Sequence, residues 1–200
     1  MSISPMRNFD PRRVGTLECR AWECYYRRRW FAFLVASVRL VRAGFAMSWS
    51  RTVRGAWFVL RANQLWAPYP DNDAAGAQRY MVRFYRLVAD AHREVIDVDE
   101  TARREVQWWR VHREVQRDGT ADLDALTAAL ADLYGFTYGV EKSAVTPAAR
   151  LRAEAMVVSD EWVASGADPA NAKLATERAL LVRSFAALLA AVHGPAVGPT

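Results

Sequence analysis

An all-α fold, a single domain packed as a mostly antiparallel bundle of about seven helices, follows from three features of the sequence. Apolar residues recur at helical spacing through most of the chain. Strand signals are missing: there is no alternating β-branched run and no Asn-Gly or Asp-Gly hairpin turn. The breaks between periodic stretches are short and carry helix-start and helix-stop residues. The chain has 200 residues, 52% apolar and 24% charged, which suits one packed core and excludes a disordered or low-complexity chain. No repeat of solenoid length is present.

Residues 1–15 read as an irregular segment without the apolar run of a signal peptide. The helical domain is expected over 16–193, with a frayed tail at 194–200. The first predicted helix covers 16–45. At about 100° per residue it places Trp22, Trp30, Phe33, Leu34 and Val41 on one arc, opposite Arg20, Arg28, Arg39 and Arg42. Residues 30–47 come nearest to a membrane span, but Arg39 and Arg42 near the middle make this a buried or interfacial helix. Gly44 and Ser48 end it, and the second helix runs over 50–66. Pro68 and Pro70 force a loop, and Asp71, Asn72 and Asp73 supply the next cap. The third helix covers 74–94. The fourth starts at Asp97 or Asp99 and stops at Asp118-Gly119. The fifth covers 121–134, followed by a turn from Gly135 to Gly139. Thr146-Pro147 opens the sixth, Gly166 closes it, and the seventh runs over 170–193.

The charge is uneven. Residues 1–61 carry 12 Arg against Asp10, Glu18 and Glu23, a net +9, while the remainder is −4. Only Lys142 and Lys173 are lysines. This Arg- and Ala-rich usage is that of a GC-rich bacterial coding sequence. Cys19 and Cys24 lie off one another's helical face, so a disulfide between them is poor geometry, and free thiols suit the cytoplasm.

Several polar residues fall on apolar faces. In the fourth helix Glu105 and His112 share the arc of Trp108 and Trp109, with Gln116 one turn beyond. Glu23 falls on the arc of Trp30, Leu34 and Val41. Asn63 is nearly alone on its face of the second helix. One reading is a metal centre of Glu23, Glu105 and His112, with His92 and Asp160 as additions. Such a set suits Fe or Mn in a ferritin-like, oxygen-activating bundle. The Glu-x-x-His pair of that class is absent from the chain. A second reading is a hydrogen-bonded network that fixes helix register. A third is a pocket for haem or another flat ligand, lined by Trp22, Tyr25, Tyr26, Trp30, Trp57, Trp66, Trp108 and Trp109.

The run Tyr25-Tyr26-Arg27-Arg28-Arg29-Trp30 interleaves guanidinium and aromatic groups. Partner contact is expected through Tyr26, Arg27, Arg28 and Arg29, with a protein partner, a second copy or a membrane surface. No nucleic-acid module is present, and neither is a phosphate loop, dinucleotide fingerprint or nucleophile elbow. The leading expectation is therefore a non-enzymatic helical binding or assembly protein that uses its basic, aromatic N-terminal region. The metal-dependent oxidase and the small-molecule or haem binder are the alternatives.

Overall fold

The computed structural model describes residues 4–118 and 121–193. The expected tail at 194–200 and the Gly119 stop lie outside them. The fold is an all-α, single-domain bundle with eight α-helices among the described residues: α1 (Pro11–Tyr26), α2 (Trp30–Phe45), α3 (Trp49–Trp66), α4 (Ala74–His92), α5 (Val98–Arg113), α6 (Leu123–Tyr138), α7 (Lys142–Ala164) and α8 (Lys173–Val192). A 3-10 turn precedes α1, and α5 widens into a π turn over Glu114–Asp118. No described helix is long and apolar enough to cross a membrane.

Each helix packs against its neighbours in the chain, and α8 returns against α1. The helices therefore form a closed ring around a shared interior. Gly15 makes the closing contact. A Cβ there would lie 2.6 Å from Val182 N and 2.8 Å from Val182 Cα, so only glycine lets the α1 and α8 backbones approach this closely.

The extra helix arises because the stretch expected as one helix over 16–45 is two. It breaks at Arg27–Arg29. Arg28 is left-handed at φ 55°, Arg28 N–H donates to Tyr25 O at 2.9 Å and Arg29 N–H to Cys24 O at 2.9 Å. This is a Schellman stop with arginine where glycine is usual, so the sequence carries no sign of it. The segment expected to be irregular over 1–15 already contains the start of α1, capped by Asp10, whose Oδ1 accepts from Arg12 N–H at 2.9 Å. Asp73, Asp97 and Asp122 cap α4, α5 and α6 in the same manner. Gly135 lies inside α6, which continues to Tyr138 and stops at left-handed Gly139. α7 begins one turn before Thr146-Pro147, so Pro147 lies within the helix rather than opening it. Cys19 and Cys24 are both free and buried.

Candidate functional site

The ring encloses two adjoining chambers. The inner one has a volume of about 230 Å³, and none of the residues lining it is exposed. α1 contributes Glu18 and Trp22, which lie one turn apart and face inward with Val14. α2 contributes Phe33, Ser37 and Val41, α4 Met81, Phe84 and Tyr85, and α5 Glu105, Trp108 and Trp109. α6 adds Tyr134, Thr137 and Tyr138, and α7 adds Arg152.

The polar groups of this wall fall into two sets. Arg152 is buried and forms an ion pair with Glu18. Its Nη1 donates to Tyr134 Oη at 3.1 Å, and its guanidinium lies 4.9 Å from the centroid of the Trp108 ring. Glu105 accepts from Tyr85 Oη at 2.7 Å and from Trp109 Nε1 at 3.2 Å. Burial pushes the Glu18 carboxyl above the usual carboxylate range, although Arg152 opposes it. Burial also raises Tyr134 to about 12. The Tyr85 hydroxyl is pushed well up by burial and then by the Glu105 charge. Five buried polar atoms on this wall have no protein partner: Glu18 Oε2, Ser37 Oγ, Trp108 Nε1, Thr137 Oγ1 and Arg152 Nε.

The outer chamber, about 250 Å³, shares Trp22, Phe33, Asn63, Trp108 and Trp109 with the inner one. It reaches the surface at Arg28 and Arg117, both exposed. On one side stands a cluster organised by Asp160. Its Oδ2 accepts from His112 Nε2 at 3.0 Å, and its Oδ1 accepts from Gln116 Nε2 at 2.7 Å and from Tyr26 Oη at 3.3 Å. Burial, then Asp160, pushes the Tyr26 hydroxyl well up. On the other side Arg113 stacks on Trp66 at 4.2 Å and donates from Nη2 to Trp66 O at 2.8 Å.

The three residues read as a metal set do not come together. Glu23 pairs with Arg20 and, at 3.0 Å, with Arg27, all on α1 or at its end. Glu105 is held by Tyr85 and Trp109 in the inner chamber, and His112 is held by Asp160 beside the outer one. His92 Nε2 faces Phe45 O at 2.5 Å. Among the described residues no group of three or more His, Cys, Asp or Glu side chains could hold a metal ion. The Glu23 expectation fails physically because the break at Arg27–Arg29 uncouples its rotation from that of Trp30 and Val41.

The expected contact residues divide. Tyr26 points inward to Asp160 and Arg27 is half-buried on Glu23, while Arg28 and Arg29 are exposed. Glu18, Arg152, Tyr85 and Tyr134 are site residues that the sequence reading missed. Helical spacing contains a sign of two of them: Glu18 lies one turn from Val14 and Trp22, and Arg152 one turn from Ala148 and Met156, all of which are apolar.

Compared with protein-family models, with curated proteins and with solved structures, the chain finds no match.

Proposed function

We propose that this chain is a helical binding protein that holds a small, largely apolar organic molecule in the inner chamber. The observation that carries the reading is a chamber of about 230 Å³ whose lining is mostly aromatic and aliphatic, contains no exposed residue and includes a few polar side chains, Glu18, Ser37, Glu105, Thr137 and Arg152. Ligand sites have this composition: mostly apolar, with a few convergent donors and acceptors. The free thiols of Cys19 and Cys24 support the cytoplasm as its compartment.

Titration with 1-decanol, followed by tryptophan fluorescence, is expected to saturate at one molecule per chain and to raise the melting temperature. Ser37→Leu, which adds carbon atoms to the chamber wall, is expected to weaken binding about tenfold with helix content unchanged. A response that never saturates, or one unaffected by Ser37→Leu, overturns the reading.

A second reading has its own observation. Between Glu23 and Asp71 the chain has eight Arg and no acidic residue. The outer faces of α2 and α3 leave Phe31, Val35, Trp49, Val53 and Trp57 exposed, with Phe31 81% and Trp49 64% accessible. On each helix these residues are spaced by four, which makes a stripe. Exposed aromatics among arginines suit an anionic lipid surface. The expected result is co-sedimentation with phosphatidylglycerol vesicles, not with phosphatidylcholine vesicles, lost in Phe31→Ala/Trp57→Ala. Equal sedimentation with both lipids contradicts it. A concentration-dependent mass without vesicle binding also contradicts it and assigns the stripe to a second copy of the chain.

A further inference from the structure

We infer that the outer chamber is an anion site, and that the molecule it takes is an amphiphile. Its carboxylate or phosphate head is held by Arg28, Arg113 and Arg117, and its apolar body lies against Trp22, Trp108 and Trp109. The position of the body rests on the function proposed for the inner chamber. The head site has observations of its own.

The first is charge without a counter-charge. Arg28, Arg113 and Arg117 all line the outer chamber, no acidic side chain lines it, and none of the three forms an ion pair among the described residues. Arg113 and Arg117 both lie over the Tyr69 ring, at 5.5 and 4.4 Å, so the two like charges share one aromatic surface. Burial lowers the Arg113 guanidinium from its ordinary value, opposed by Tyr25 and assisted by the Arg117 charge. Asp160, the carboxylate behind this chamber, already accepts from Tyr26, His112 and Gln116. Guanidinium groups pair with carboxylate and phosphate oxygens, which is the chemistry such a cluster offers, with Arg113 itself anchored by donating from Nη2 to Trp66 O.

The second is backbone. Arg28 is left-handed, an unfavourable conformation for a residue with a Cβ, and glycine is the usual solution at that position of a helix stop. Arg117 is carried by the π turn that widens the end of α5. Left-handed residues also occur at Ala46, Arg93 and Ala167, outside the chamber, so the backbone here places Arg28 and Arg117 on the chamber and does not by itself mark a site.

The third is the shared wall. Trp108 lines both chambers, is 8% exposed, and its Nε1 has no protein partner. A head on the arginines places the body of the molecule against this ring.

The test is calorimetric titration of the full chain with decanoate, decyl phosphate and 1-decanol, each below its micelle-forming concentration. Both anions are expected to bind about tenfold or more tightly than the alcohol. The stronger of the two identifies the head as carboxylate or phosphate. Arg117→Gln and Arg28→Gly are each expected to lose about tenfold on the anions and nothing on the alcohol. Arg110→Gln, an exposed arginine on α5 outside the chamber, controls for overall charge and is expected to change nothing. Arg28→Gly also removes the left-handed strain, so its melting temperature is expected to rise by about 2–4 °C while its anion affinity falls. A merely structural arginine would not separate the two in that direction. Anions that bind no tighter than 1-decanol, or Arg117→Gln and Arg28→Gly chains that bind them like the native chain, overturn the head site even where 1-decanol binds. Anions that bind and respond to both variants, with no binding of 1-decanol, leave the head site standing and remove the apolar-chamber reading instead.

Discussion

Replacing Arg152 with methionine is expected to cost about 3–5 kcal/mol in urea unfolding. Methionine fills much of the same volume, so the loss is electrostatic. Glu18 loses its ion-pair partner, and Glu105, which also feels the Arg152 charge, is left facing it across a buried wall. Tyr134 loses its donor as well. The pair is 134 residues apart in the chain and ties α1 to α7 across the ring. A buried ion pair recovers little more than its own desolvation, so removing both charges costs less than removing one. Glu18→Leu combined with Arg152→Met is therefore expected to be at least ~2 kcal/mol more stable than Arg152→Met alone, and because Glu18→Leu by itself also strands a buried charge, the coupling in the double-mutant cycle is expected to exceed ~2 kcal/mol. Additive losses would show that the two side chains act separately.

The second large effect is a gain. Glu177 on α8 is fully buried, and neither of its oxygens makes a hydrogen bond, although the Cys19 thiol on α1 and Ser159 on α7 are near enough to favour its charge. Glu18 and Glu23 on α1 act the other way. Burial dominates and lifts its carboxyl from an ordinary 4.5 to about 7. The folded chain thus holds this proton more tightly than the unfolded chain does. The stability it contributes is complete below about pH 4.5 and is lost as pH rises to about 7. Above that, the charged carboxylate destabilises the fold by about 3 kcal/mol. Glu177→Gln is therefore expected to match the native chain at about pH 4 and to exceed it by about 3 kcal/mol at about pH 8. Chemical unfolding at the two pH values checks it, and a difference independent of pH would contradict it.

Much of this fold is legible in the sequence because helical periodicity and Asp caps are local. The caps at Asp73 and Asp97 and the loop through Pro68 and Pro70 needed no tertiary information. The break at Arg27–Arg29 did, because its left-handed residue is an arginine. Because of that break Glu23 is buried, as its place on an apolar face implies, but against Arg20 and Arg27 rather than on the arc of Trp30 and Val41. Glu105 and His112 share the face of Trp108 and Trp109 in sequence and fold alike, since α5 is unbroken over that stretch. Their partners were not legible: Tyr85, Asp160 and the Glu18–Arg152 pair come from other helices, and charge pairing across a ring leaves no periodic trace. The chambers themselves depend on ring closure between α1 and α8, where the only local sign is Gly15.

Occupancy of the inner chamber is read most directly from the indole N–H signals of the eight tryptophans during a 1-decanol titration, in a proton–nitrogen correlation spectrum. Trp22, Trp108 and Trp109 line the inner chamber and the wall it shares with the outer one, Trp66 lines the outer one alone, and Trp49 and Trp57 are exposed on α3. The expected result is that Trp22, Trp108 and Trp109 shift together along one saturating curve, with Trp66, Trp49 and Trp57 unmoved. Shifts confined to Trp49 and Trp57, or no saturating shift at Trp108, would show that the chamber does not take such a molecule.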